Sequence, residues 1–212
     1  VYTLGYVHIK HQDRDYPMRI LVIGGGSIGR RHLMNLKSMD VGELLLVEPD
    51  AARRAEVADE AGIASKAGAV SFGTLDEGLD REPDMVVIAT PSSMHVEQAI
   101  AAARRGCHLF IEKPLCANTD GLDELAEIVA ERSLTTLVGC NMRFHPGPAK
   151  VKQLIDDGAI GQLRYMRLYT GSYLPGWRPW QDYRQSYSAR PEMGGGCILD
   201  CIHEIDLARW YC

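Results

Sequence analysis

The stretch Ile20-Leu21-Val22-Ile23-Gly24-Gly25-Gly26-Ser27-Ile28-Gly29-Arg30-Arg31-His32 decides the fold, because an apolar run passes directly into Gly-x-Gly-x-x-Gly and then into a helix-forming segment. In a βαβ unit that binds a dinucleotide, the first glycine makes the tight turn, the second lets the backbone approach the pyrophosphate, and the third lets the helix pack on the strand. Here those positions are Gly24, Gly26 and Gly29, with Ser27 and Ile28 opening a helix expected over 27–39. A helix start also turns free N–H groups and the positive end of a dipole towards a phosphate.

A glycine turn alone often does no more than reverse a chain, so its neighbours carry the argument. Residues 43–48, Glu-Leu-Leu-Leu-Val-Glu, read as a second apolar strand. It ends on an acidic residue about 20 positions after the turn, as the fingerprint requires. A carboxylate at Glu48 accepts both ribose hydroxyls of NAD and repels the 2′-phosphate of NADP, so NAD is the expected cofactor. Arg53 and Arg54 keep NADP as the second alternative, although on a helix expected over 50–61 such arginines are most often solvated surface.

The 212 residues are 46% hydrophobic with a net charge of −5, the balance of a globular protein of one large or two modest domains. Charges are interspersed with no basic stripe, which speaks against a nucleic-acid partner. No apolar run approaches the roughly 18 residues of a membrane span. The six cysteines, Cys107, Cys116, Cys140, Cys197, Cys201 and Cys212, lack Cys-x-x-Cys spacing. Together with the lack of a recognisable leader, they suggest reduced thiols in a cytoplasm. Cys197, Cys201 and His203 raise zinc as a remote alternative, but two thiols four apart on an apolar helix are usually small buried residues, and no metal is expected. Residues 1–17 carry no motif and are taken as an N-terminal extension.

Beyond the first βαβ unit, apolar strands and amphipathic helices keep alternating. Strands are expected over 70–72, 84–90, 107–111 and 136–140, and helices over 94–105 and 119–132. Continuous apolar strands between helices imply a parallel sheet covered on both faces, a doubly wound Rossmann domain over 18–140. Ligands bind beyond the carboxyl ends of such strands. The residues there read Thr90-Pro91-Ser92-Ser93-Met94-His95, Glu112-Lys113-Pro114 and Asn141-Met142-Arg143-Phe144-His145-Pro146.

These segments, with the glycine turn and a later Gly194-Gly195-Gly196-Cys197-Ile198-Leu199-Asp200-Cys201-Ile202-His203-Glu204-Ile205-Asp206, resemble the Gfo/Idh/MocA family of NAD(P)-dependent oxidoreductases over residues 18–212. The resemblance matches the family's Thr-Pro…His segment to Thr90, Pro91 and His95, its Glu-Lys-Pro motif to Glu112, Lys113 and Pro114, and its Asn-x-Arg-Phe segment to Asn141, Arg143 and Phe144. It implies a catalytic role for Lys113, and a cofactor-side role for Thr90, Pro91, His95, Glu112 and Asn141. Residues 141–212 then become the start of an α+β substrate and oligomerisation domain with an antiparallel sheet.

Oxidising a carbinol requires loss of a hydride and of a hydroxyl proton. A histidine suits the proton, a carboxylate can orient it, and an ammonium can polarise the oxygen. Asp200 and His203 are three apart and, on one helix, would share a face. Many family members space these residues by four. The other readings are a capping aspartate, a half-buried histidine and a solvated lysine. Arg143, Trp177 and Tyr183 are the candidates for gripping a sugar ring and its hydroxyls, although the aromatic stretch 173–184 fits a self-packed loop equally well.

Only one strand of the second sheet, over 162–170, is legible. The rest is expected from a longer enzyme or from a partner, with a homo-oligomer if the missing sheet is supplied. The leading expectation is hydride transfer between NAD(H) and a carbinol carbon of a sugar, cyclitol or sugar derivative, with Lys113, Asp200 and His203 at the reacting centre. The alternative is a truncated, non-catalytic dinucleotide-binding module.

Overall fold

Uninterrupted apolar runs make strands that are buried on both faces, and here they set the centre of the molecule. A computed structural model describes residues 17–63, 70–177 and 179–212. In it β1 (Arg19–Ile23) pairs in parallel with β2 (Glu43–Val47) on one side and β4 (Met85–Ile88) on the other. Beyond β2 lies β3 (Ser71–Phe72), and beyond β4 lie β5 (His108–Ile111) and β6 (Thr136–Val138). The resulting parallel order is β3-β2-β1-β4-β5-β6. Leu21, Val22, Leu45, Leu46, Val86 and Ile88 are wholly buried, and each such side chain contributes roughly 1.5–3 kcal/mol.

The crossover helices are α1 (Ser27–Met39), α2 (Ala51–Glu60), α3 (Leu75–Leu79), α4 (His95–Arg104) and α5 (Leu122–Glu131). They set Leu33, Val57, Leu79, Ala99 and Leu125 into the core. The chain winds outwards through β2 and β3, then returns to β4 beside β1. A crevice therefore opens at the carboxyl ends of β1 and β4, where the strand order reverses. The sequence reading had no helix at α3. Its start is a capping box, with the Thr74 side chain accepting from the Glu77 N–H and the Glu77 carboxylate accepting from the Thr74 N–H.

After β6 the chain makes a 3₁₀ turn, Asn141–Phe144, and then α6 (Pro146–Asp156), which the sequence reading also lacked. Pro146 opens α6, where a missing N–H costs nothing. Two expectations need correction. Residues 162–170 form no strand: no other strand runs beside them among the described residues, and an extended segment without a ladder is not a sheet element. Asp200 and His203 do not share a helix either. Asp200 ends α7 (Cys197–Asp200), Cys201 leaves the helical region at φ −98° and ψ 39°, and His203 begins α8 (His203–Tyr211). Residues 1–16 of the expected N-terminal extension lie outside the described residues. Among the described residues no helix is long and apolar enough to cross a membrane.

Candidate active site

The glycine turn closes tightly against its neighbours. Gly24 has φ +97° and donates its N–H to the Val47 carbonyl at 2.8 Å. A Cβ on Gly24 would press into the Ala89 carbonyl and one on Gly29 would overlap the Gly24 carbonyl, so the turn can lie this close to the end of β4, and α1 this close to the turn, only with glycine at these positions. Gly26, Ser27 and Ile28 are exposed at the crevice. The start of α1 has no side-chain cap, whereas the start of α2 is capped by Asp50. Its free N–H groups are thus left to a ligand, as a pyrophosphate requires.

Glu48 stands at the end of β2 and is only 5% exposed. One carboxylate oxygen accepts the Gly25 N–H at 2.8 Å and the other accepts the Asp50 N–H at 3.0 Å, so the side chain ties the glycine turn to β2. Arg54 donates to the Glu48 and Pro49 carbonyls. Arg53 lies 3.6 Å from the Glu48 carboxylate. A cradle that a Cβ would fill, an uncapped helix start and a carboxylate at the end of the second strand fit a dinucleotide.

Past β4, the Thr90 hydroxyl donates to Gln98, and Pro91 leads into a 3₁₀ turn, Ser92–Met94. His95 is 1% exposed; one ring nitrogen lies 2.9 Å from the Thr90 carbonyl and the other 2.9 Å from the Pro114 carbonyl. It ties the loop after β4 to the loop after β5 from within the core.

Lys113, whose bond to Pro114 is cis, reaches across to α7. Its ammonium donates to the Asp200 carbonyl at 2.8 Å and lies 3.6 Å from the Asp200 carboxylate. The other Asp200 carboxylate oxygen and His203 Nδ1 are buried without a hydrogen-bond partner. Burial holds the His203 imidazole below its ordinary pKa, and the Lys113 ammonium adds to that. Lys113 and Asp200 therefore meet directly, and His203, beyond the helix break, lies near enough to feel the Lys113 charge.

The sequence reading missed His32. On α1, its Nε2 lies 2.6 Å from the Glu112 carboxylate, whose other oxygen accepts the Lys113 N–H at 3.1 Å. Burial tends to raise the Glu112 pKa, but the His32 hydrogen bond and the nearby positive charges outweigh it and hold the group below the usual carboxylate range. The signal available was positional: His32 is one helical turn past Gly29.

Arg143 uses two of its donors within the protein. Its fork is closed on Asp206 of α8, at 2.9 Å and 2.5 Å, and its guanidinium lies over the Trp210 ring. Asn141 is exposed and begins the 3₁₀ turn after β6. Trp177 donates to the Ser172 hydroxyl, Arg184 stacks on Tyr183, and Trp177 and Tyr183 line one small cleft with Ser186 and Ser188. Among the described residues no three His, Cys, Asp or Glu side chains are grouped to hold a metal ion.

Comparison with known proteins meets this geometry from outside. Residues 18–140 match the model of the GFO/IDH/MocA oxidoreductase family, described as an NAD-binding Rossmann fold, and residues 149–212 match the GFO/IDH/MocA C-terminal domain. The scyllo-inositol 2-dehydrogenase (NAD(+)) of Bacillus subtilis (strain 168) is 33% identical over 200 residues, covering 92% of this chain and 54% of its own. The myo-inositol 2-dehydrogenase of Thermotoga maritima is 31% identical over 195 residues, 91% of this chain and 54% of its own. The crystal structure of scyllo-inositol dehydrogenase from Lactobacillus casei with bound NAD(H) and scyllo-inositol superposes with a TM-score of 0.78 at 26% identity, covering 92% of this chain and 56% of that one. The chain spans about half the length of the curated relatives it matches.

Proposed function

Because this chain belongs to the GFO/IDH/MocA oxidoreductase family, with its NAD-binding Rossmann fold, we propose that it transfers a hydride between NAD(H) and a carbinol carbon of a sugar, cyclitol or sugar derivative. The observation that carries the reading is the contact of Lys113 with Asp200 at the carboxyl edge of the sheet, with Asp200 Oδ2 and His203 Nδ1 buried and left unpaired. Buried polar atoms without partners are costly unless a ligand completes them. The inositol dehydrogenases among the relatives support a polyol as that ligand.

Bound NAD+ supplies the hydride acceptor. The chain's own residues do the rest. His203, held neutral by burial and by Lys113, takes the hydroxyl proton at Nδ1. The Lys113 ammonium stabilises the negative charge that develops on the carbinol oxygen. Asp200 keeps that ammonium in place through its carbonyl and carboxylate. Glu112, braced by His32, fixes the backbone from which Lys113 projects. Glu48 is the group that prefers a free ribose 2′-hydroxyl to a 2′-phosphate, and so NAD to NADP. All the described cysteines are free thiols, which agrees with a reducing, cytoplasmic compartment.

A calorimetric titration of the protein with NADH and, separately, with NADPH tests the cofactor half of the proposal. NADH is expected to bind at least about tenfold more tightly, the size of one charge-assisted hydrogen bond. Equal binding, or tighter NADPH, would show that Glu48 does not select the cofactor.

A further inference from the structure

Ser92 lies in the loop after β4, buried and 95 residues from Tyr187 in sequence, yet its Oγ is 3.1 Å from the Tyr187 hydroxyl. Both hydroxyls converge on one acceptor, the Gly194 carbonyl, at 3.2 Å from Ser92 and 2.9 Å from Tyr187. Two hydroxyls supply two hydrogens and a carbonyl oxygen accepts two, so the node is satisfied without water. Gly194 has φ +82°, and a Cβ there would overlap Ser92 Oγ. A Cβ on Gly195 would overlap the Tyr187 carbonyl.

From this node a short run of backbone bonds leads to the reacting centre. The Gly196 N–H donates to the Ser188 carbonyl at 3.0 Å and the Asp200 N–H to the Gly196 carbonyl at 2.9 Å. The Asp200 carbonyl in turn holds the Lys113 ammonium at 2.8 Å. Burial raises the Tyr187 phenol above its ordinary pKa and the negative Asp200 adds to it, so the hydroxyl keeps its proton and stays a donor. On the other side, the loop that carries Ser92 is joined to the Lys113 loop through His95.

We propose that Ser92 and Tyr187 are positioning residues that fix α7, and with it Asp200, against Lys113; the inference rests on the reading of Lys113 and Asp200 given above. The two hydroxyls touch neither the glycine turn nor Glu48, so their loss acts on the placement of Asp200 and leaves the dinucleotide site intact.

Tyr187→Phe and Ser92→Ala each remove one hydroxyl. Each variant is expected to lower kcat for the NAD+-dependent oxidation of scyllo-inositol by about tenfold, since small misplacements at a reacting centre are costly. KM for NAD+ and the calorimetric affinity for NADH should stay within about twofold, and the double variant should fall little further than either single one because the hydroxyls act as a unit. An unchanged kcat, or a loss of NADH affinity as large as the loss of kcat, would overturn the proposal. If the unaltered protein does not oxidise scyllo-inositol, amide hydrogen exchange decides the matter separately. Tyr187→Phe should then speed exchange across residues 197–203 by about tenfold and leave β1 and β4 unchanged. Unaltered exchange at 197–203 would overturn the proposal whatever the substrate.

Discussion

At His203 burial and the Lys113 ammonium act in the same direction, both disfavouring the charged imidazole. A titration followed by NMR is expected to place its midpoint below the ~6.5 of a free imidazole, and Lys113→Met should move the midpoint upwards. A midpoint that ignores Lys113 would mean that the two side chains do not share a site. Glu48 allows a second expectation: Glu48→Ala removes the acceptor for the Gly25 and Asp50 N–H groups as well as the ribose contact proposed for it. NADH affinity, read by calorimetry, should fall at least about tenfold, with a smaller loss for NADPH; an equal loss for both would reduce Glu48 to a brace for the turn. At this scale the sequence made Gly24, Gly29, Glu48 and Lys113 legible, because each stands at a fixed offset from a strand end. His32, Ser92 and Tyr187 were not legible, since the contacts His32 to Glu112, Ser92 to Tyr187 and Ser92 to Gly194 span 80 to 102 residues and no local pattern signals them.

Among the elements, α8 shows how a short helix is held. It buries Leu207 and Tyr211, and the Tyr211 hydroxyl donates to the Pro148 carbonyl. Its firmest polar tie is the fork from Arg143 to Asp206. The Arg143 hydrogen bond holds the Asp206 carboxyl below its ordinary range, with the guanidinium charge adding to it against a burial penalty. The tie therefore contributes fully above the ~3.9 of a free aspartate and is lost as pH falls through the lower folded value. Arg143 is 39% exposed, so solvent screening limits the gain. Asp206→Asn should cost about 1 kcal/mol in a urea titration at neutral pH, and the difference from the unaltered protein should vanish in strong acid. A difference that persists there would assign the effect to packing.

The strands and the longer helices of the Rossmann part were legible because periodicity and apolar runs are local signals, whereas the five residues of α3 are too few to show a period. The segment over 162–170 misled because alternation records only what could face a sheet, and pairing needs a neighbour that the described residues do not supply. The break between α7 and α8 went unseen because no glycine or proline marks it between Asp200 and His203. It matters to the site, since Asp200 is aimed by the turn at Cys201 and by Lys113.

On the scale of the whole molecule, side chains of the Rossmann domain hold the segment after β6 at Lys113 to Asp200 and at Ser92 to Tyr187 and Gly194, while Arg143 to Asp206 ties that segment to itself. The fold class followed from one glycine turn and the alternation of apolar strands with helices after it, since a parallel sheet leaves few topologies open once its crossovers are right-handed. The proposed reacting centre was legible only as a set of residues, and the contact of Lys113 with Asp200 joins parts of the chain 87 residues apart. Hydride transfer served by Lys113 and His203 is the central proposal. The measurement is to incubate the protein with NAD+ and scyllo-inositol deuterated at its ring carbons, and to follow deuterium into NADH. Deuterium is expected at the nicotinamide C4, with the rate falling at least about 100-fold in Lys113→Met and in His203→Ala while both variants still bind NADH. Transfer at the unaltered rate in both variants would contradict the assignment of the reacting centre, and NADH binding with no transfer from scyllo-inositol or from any other polyol or sugar offered would leave a non-catalytic dinucleotide-binding module.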